Sequence, residues 1–233
     1  MGTPRQCPCH SPNTNCPLPL TDDTLGRIQN IARTYFQNAK GSHDWEHTQR
    51  VVELCNRMGP GEGADMVVLK SAAYLHDIGR AVQDESNGSV CHAVQGAEMA
   101  RRILAPMPLE PFQKENIVHC VRAHRYRDGC APKTIEAKVL FDADKLDGIG
   151  AVGVARAYLF AGEVGARLHT PDLQPSETQP YSRDDTGYRE FVVKLSNVKD
   201  RILTAEGRRL AEGRHAFMVA FFERFLDEYA GKC

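Results

Sequence analysis

The feature that most constrains this chain is the recurrence of apolar residues at helical spacing, with no run that alternates apolar and polar residues long enough to argue a sheet. After a helix-start triplet at Thr21-Asp22-Asp23, the period runs through Leu25, Ile28, Ile31, Ala32, Tyr35 and Phe36. It returns at Val51-Val52-Leu54-Cys55-Met58, Met66-Val67-Leu69-Ala72-Ala73-Leu75, Ala93-Ala97-Ala100-Ile103-Leu104 and Ile117-Val118-Val121. Breakers separate these segments: Gly59-Pro60-Gly61-Glu62-Gly63, Asn87-Gly88, Pro106 to Pro111, and Asp128-Gly129. Val139 to Phe141 continues with helical period into Ala143, Leu146, Ile149 and Val152, which predicts one long helix from about Thr134 to about Ala161. Arg167 to Gly187 is polar and proline-bearing, a long loop that serves either as a lid or as a plain insertion. Helical spacing resumes from Phe191 through Leu195 and closes with Leu210, Phe217, Met218, Phe221, Phe222, Phe225 and Leu226. The expectation is a single all-α domain: a disordered tail over 1–20, a helical core over 21–165, the loop over 166–187, and C-terminal helices over 188–233 packing on the core.

Composition narrows the function. The 233 residues are 42% hydrophobic, enough for a sizeable core, and 29 Lys+Arg balance 30 Asp+Glu. That balance argues against indiscriminate nucleic-acid binding, so no stable nucleic-acid complex is expected. No apolar run reaches the roughly 20 residues of a membrane span, Ala151 to Ala161 being half as long and carrying Arg156. MGTPRQCPCHSPN lacks an apolar segment after a positive flank, so a cytoplasmic location is expected. The eight cysteines read as reduced thiols, Cys55, Cys91 and Cys120 lying within helical patterns. Cys7, Cys9, His10 and Cys16 lack the usual zinc spacing, and neighbouring prolines discourage a folded knuckle.

Histidines and aspartates interrupt otherwise apolar helical faces. In AAYLHDIGR, His76 and Asp77 end an apolar helix just before Gly79, where both side chains can flank one ion. A buried aspartate without a partner costs several kcal/mol or becomes neutral, so something must compensate it. VLFDADKLDGIGA sets Asp142, Asp144 and Asp147 in a still more apolar stretch, and Asp144 and Asp147 share a helix face. His47, in SHDWEHTQRVV, follows His43 by one turn and leads into the Val51 stripe.

This ordered series, a His heading one helix, His-Asp ending the next, and an Asp further on, resembles the HD-domain superfamily of metal-dependent phosphohydrolases, with its H…HD…D pattern. His47, His76-Asp77 and Asp144 match that pattern. The later segment FVVKLSNVKDRILTAEGRRLAEGRHAFMVAFFERF is similar to the C-terminal helices of small stand-alone bacterial HD hydrolases, with Lys194, Thr204 and Arg214 on characteristic positions. The resemblance implies an HD-domain helical bundle with additional C-terminal helices, in which His47, His76, Asp77 and Asp144 hold one divalent cation. Mixed N/O donors suit Mn²⁺ first, with Fe²⁺, Co²⁺, Ni²⁺ or Mg²⁺ as alternatives. Asp142 is the rival to Asp144 for the last place.

The same resemblance places His92 and His124 facing the pocket as substrate contacts; a second metal there would need a bridging carboxylate that the sequence does not identify. His119, on another face from His124, reads as a core or supporting group. Phosphate chemistry also needs positive charge that does not titrate. Arg80 after the HD turn and Lys145 after Asp144 are the leading candidates, followed by Arg50, Arg125, Arg127 and Lys194. Asp77 and Arg80 are expected to be catalytic, and Asp147 either accepts a proton or orients a ligand histidine. Some HD nucleotidases and alarmone hydrolases carry an acidic residue within a turn after HD; Ile78-Gly79-Arg80-Ala81 has none, which disfavours the alarmone subtype. The expected activity is hydrolysis of a phosphoester or phosphoanhydride in a small phosphorylated substrate, a nucleotide first, by a monomer or homodimer. Two alternatives remain: a di-iron HD oxygenase, and a module that binds a nucleotide without cleaving it.

Overall fold

The computed structural model describes residues 22–37, 44–86, 88–126 and 129–233, so the tail at 1–20 with its Cys7, Cys9, His10 and Cys16, and also Thr21, His43 and Arg127, lie outside the described residues. Within them the chain is all-α, without a strand: α1 (Asp22–Thr34), α2 (Trp45–Glu62), α3 (Met66–Leu75), α4 (Arg80–Glu85), α5 (His92–Leu104), α6 (Pro111–Ala123), α7 (Ile135–Asp147), α8 (Gly150–Glu163), α9 (Gly187–Val193) and α10 (Ala205–Tyr229). No helix of the described residues is long and apolar enough to cross a membrane.

The fold is organised around α3. It is apolar on most of its circumference, burying Val68, Leu69, Ala72, Ala73 and Leu75, and a helix with that character has to be surrounded. It is packed against α1, α2, α6 and α7. The residues at its C-terminal end therefore emerge inside the bundle, not at its surface. Its other end is secured by polar groups: Asp65 caps it by accepting from the amides of Val67 and Val68, and Asp65 also accepts from Gln113 Nε2 at 2.8 Å. Glu136 joins this belt, taking Asp65 N at 2.8 Å and Asn116 Nδ2 at 2.9 Å, and so ties α3, α6 and α7 together.

Two expected boundaries are corrected. The glycine-proline run does not stop α2 at Met58; the helix carries Pro60 in its last turn and ends at Gly63, whose φ of +73° is left-handed. Lacking an N–H, Pro60 cannot bond the Asn56 carbonyl, so the ladder loses one bond in that turn. Gly59 meanwhile lets Met66 and Leu69 approach, since a Cβ there would stand 2.6 Å from each. The single helix expected from Thr134 to Ala161 is broken into α7 and α8 at Gly148-Ile149-Gly150. Ile149 is extended and Gly150 has φ +81°, with the Arg214 side-chain stem where a Cβ would be, its Cγ 2.9 Å away.

The segment over 166–187 has only a short 3-10 turn at Pro175–Glu177 and is fastened by its own polar contacts. Arg189 donates to Thr178 Oγ1 at 2.7 Å, Thr178 O at 3.0 Å and Asp185 at 2.8 Å. Ring contacts of His169 with Phe225 and Tyr229, and of Tyr181 with Phe160, attach it to α10 and α8. α10 lies against α7, α8 and α2, and α9 lies against α8. Among the described cysteines, Cys55, Cys91, Cys120, Cys130 and Cys233 are free thiols.

Asp142 secures this packing. Fully buried, it accepts from Leu203 N at 2.8 Å, Thr204 N at 2.7 Å and Thr204 Oγ1 at 2.6 Å, which pins the N-terminus of α10 to α7. Replacing Asp142 by Ala strands these donors in the interior and is expected to cost about 3 kcal/mol. Thermal unfolding of Asp142→Ala should show a lower Tm while divalent-cation uptake is retained.

Candidate metal centre

Five helix ends meet at one place. His47 lies in the first turn of α2, whose cap Asp44 accepts from His47 N at 3.0 Å. His76 and Asp77 occupy the turn after α3, His92 opens α5, His124 follows α6, and Asp144 and Asp147 lie in the last turns of α7. His47, His76, Asp77, His92, His124 and Asp147 are all at most 2% exposed. The HD turn can lie against α5 only because residue 79 is glycine: a Cβ there would stand 2.4 Å from His92 O and 2.8 Å from Gly96 N.

Each histidine is tied at its back. His47 Nδ1 is 2.7 Å from Asp147 Oδ2, His76 Nδ1 2.7 Å from Ala73 O, His92 Nδ1 2.8 Å from Gln83 Oε1, and His124 Nδ1 2.7 Å from Val121 O. A carbonyl or carboxylate oxygen can only accept, so each Nδ1 carries its proton, and in the neutral imidazole the lone pair is at Nε2. The Nε2 atoms face each other: His47 and His76 are 3.3 Å apart, His92 and His124 3.2 Å.

Carboxylates complete the set. Asp144 Oδ1 is 3.5 Å from His47 Nε2. Asp77 divides its oxygens: Oδ2 is 3.9 Å from both His47 Nε2 and His76 Nε2, while Oδ1 is 3.0 Å from His92 Nε2 and 3.5 Å from His124 Nε2. The result is two adjoining groups of potential ligands, His47 with His76 and Asp144, and Asp77 with His92 and His124. Converging lone pairs and carboxylate oxygens in a buried space call for a proton or a cation between them, and this mixed N/O set fits a divalent metal ion. The carboxylate between the two histidine pairs, which the sequence did not identify, is Asp77 itself.

Burial is the largest single influence on His47 and works against its charge, but Asp144, Asp147 and Asp77 outweigh it and push its pKa up to about 9, so without a cation Nε2 carries a proton at neutral pH that a metal ion would displace. Burial depresses His76 and His92 to about 4. Burial favours neutral acids at Asp144 and Asp147, yet Lys145 and His47 hold the first well below the usual carboxylate range, and His47 and Arg50 do the same for the second.

The other expected site residues divide clearly. Arg80 Nη2 lies 3.5 Å from Asp77 Oδ2, and Lys145 Nζ lies 2.7 Å from Asp144 Oδ2 and 5.0 Å from the centre of the Phe141 ring. Arg50 instead grips Asp147, through Nε at 2.7 Å and Nη2 at 3.1 Å. Arg125 donates to Gln83 at 3.0 Å, behind His92. Lys194 has a side chain two-thirds exposed and pairs with Glu190 one turn earlier on α9. Asp142 is committed to α10 and so is no rival to Asp144. His119 accepts from Lys133 N at 3.0 Å and anchors the approach to α7. Gln83 and Arg156 were missed as contributors. Gln83 lies on the six-residue α4, too short to show a period, whereas Arg156 was visible as the lone charge in an apolar run.

The HD domain family model matches residues 44–149. YpgQ of Bacillus subtilis is 30% identical over 212 residues, 88% of this chain and 93% of that protein. The crystal structure of YpgQ in complex with ADP is similar with a TM-score of 0.66 and 31% identity, covering 86% of this chain and 96% of that one. An HD-superfamily hydrolase from Bacillus thuringiensis is similar with a TM-score of 0.70 and 25% identity, over 89% of this chain and 97% of that one.

Chelator-stripped protein is expected to unfold at lower temperature than protein supplied with Mn²⁺. At a free ion concentration one hundred times Kd the difference should be about 2.7 kcal/mol. Differential scanning calorimetry checks this, and Asp77→Ala, which removes the carboxylate common to both groups, should abolish the gain.

Proposed function

The chain belongs to the HD-domain family, and from that premise we propose that it is a metal-dependent phosphohydrolase acting on a small phosphorylated substrate, a nucleotide first. The observation that carries this reading is the convergence of His47, His76, Asp77 and Asp144, with Arg80 and Lys145 beside the two carboxylates. The ADP bound by its relative YpgQ supports a nucleotide. A divalent cation, Mn²⁺ first among the candidates, supplies Lewis acidity toward a phosphoryl oxygen and brings the pKa of water toward neutrality.

The residues of the chain do the rest. His47 and His76 present fixed Nε2 lone pairs because Asp147 and the Ala73 carbonyl hold their opposite nitrogens. Arg80 and Lys145 supply positive charge for the charge that develops on a transferring phosphoryl group. His92 and His124 face Asp77 and stand as substrate contacts or as further ligands. Asp147 serves as an orienting group and not as a proton acceptor: it is already occupied by His47, Arg50 and Arg156 and has little proton affinity at neutral pH. Arg50 is likewise assigned to Asp147, not to substrate.

The second group of donors, Asp77 with His92 and His124, favours one further reading, a di-iron oxygenase. Iron at two per chain after aerobic purification, with O₂ consumption and no phosphate release, would select it.

The decisive assay follows phosphate and pyrophosphate release from nucleoside mono-, di- and triphosphates by chelator-stripped protein with and without Mn²⁺. Release is expected to require the ion and to fall at least one hundredfold in Asp77→Ala. Arg80→Met and Lys145→Met should each lower kcat by roughly tenfold to a thousandfold. Ion-loaded protein that releases neither product from any of these substrates refutes the reading.

A further inference from the structure

We propose that Arg156 is a positioning residue for the metal centre: with Arg50 it clamps Asp147, and through Asp147 it aims His47. The inference rests on the metal reading above and extends it to a part of the chain outside the matched domain, since Arg156 lies in α8, beyond residue 149. Arg156 Nη1 is 2.6 Å from Asp147 Oδ2, the same oxygen that His47 Nδ1 meets at 2.7 Å. Arg50 closes the other side, with Nε 2.7 Å from Oδ1 and Nη2 3.1 Å from Oδ2. One buried carboxylate thus receives hydrogen bonds from two guanidinium groups and an imidazole.

The two arginines do different things. Arg50 shares α2 with His47, three residues away and on the same face, so it fixes Asp147 only relative to the helix that already carries the ligand. Arg156 fixes it relative to a second helix. The direction of α8 is itself set by the α7–α8 break, where Gly150 adopts φ +81° and the Arg214 stem from α10 fills the space a Cβ would need. Arg214 also donates to the carbonyl of Leu146, the residue before Asp147. A continuous series of contacts therefore runs from α10 through Arg214 and the α7–α8 turn to Arg156, Asp147 and His47. The Arg156 side chain is 17% exposed and that of Asp147 2%, so solvent does not screen the pair as it would a surface ion pair. A carboxylate held in this way keeps the His47 ring in one orientation with its Nε2 turned inward, the role of a supporting partner behind a metal-ligating imidazole.

The test uses the full chain, stripped with chelator and titrated with Mn²⁺ by calorimetry and with Co²⁺ by its visible absorption. Arg156→Gln and Arg156→Met are expected to weaken ion binding by about tenfold and to alter the Co²⁺ band. Arg156→Lys, which restores a charged donor to one oxygen, should recover most of the affinity. In an Asp147→Asn background, Arg156→Met should have no further effect, because the route through Asp147 is already cut. Unchanged affinity in both neutral variants, failure of the lysine to rescue, or multiplying effects of the two substitutions would each overturn the clamp. If Arg156→Met does not fold, Arg156→Gln and Arg156→Lys decide alone. If the unsubstituted chain takes up neither ion, the metal reading falls separately; the clamp is then decided by unfolding, where losses in Tm that add for Arg156→Met and Asp147→Asn overturn it and losses that fail to add support it.

Discussion

Four imidazole lone pairs and two carboxylates directed at one another inside a helical bundle form a constraint around which the rest of the fold is arranged. Packing alone would not tolerate it, because buried carboxylates and imidazole nitrogens need a proton or a cation between them. The chain answers in two ways. It ties each Nδ1 to an oxygen, so that ring orientation is decided at the back of the cluster, and it draws the ligands from five different helix ends, so that no single helix fixes the geometry. A cation then converts a repulsive arrangement into a cohesive one. The physical cause of the site's position is α3, whose apolar circumference forces the bundle to close around it and leaves His76 and Asp77 inside.

Much of this was legible in the residues. An apolar helix that ends in His-Asp before a glycine is a strong signal, because hydrophobic neighbours on all sides leave polar groups no route to solvent. The same reasoning marked Asp142, Asp144 and Asp147 as needing partners, though not which partners: one bonds α10, one faces the histidines, and one accepts two guanidiniums. Spacing along a helix reports which face a residue is on, and the three aspartates differ in what packs against that face. That information is tertiary. The division of Asp77 between two histidine pairs was hidden for the same reason, since it depends on Gly79 letting the turn touch α5.

The helix boundaries that differed have local causes. Apolar period continues without interruption across Gly148-Ile149-Gly150, so periodicity alone reads one helix; the break is enforced by a left-handed glycine and by an arginine stem from a helix more than sixty residues away in sequence. At the end of α2 the error is in the other direction. Proline and glycine read as a stop, yet the helix tolerates both in its last turn and ends only where Gly63 can take a positive φ. Breakers identify where a helix can end, and packing decides where it does.

The cluster is uneven in its supports, and this follows from which elements supply them. His47 is backed by a carboxylate that two guanidiniums keep ionised, whereas His92 is backed by the neutral amide of Gln83, which also accepts from Arg125. His76 and His124 rest on carbonyls of their own helices. A charged acceptor behind an imidazole raises its basicity more than a neutral one does. The half of the cluster that contains His47 is therefore the more electron-rich, and it is this half that the C-terminal helices brace through Arg214 and Arg156. Lys194 is paired with Glu190 of α9; the guanidiniums that bear on the centre from beyond residue 149 are Arg156 of α8 and Arg214 of α10.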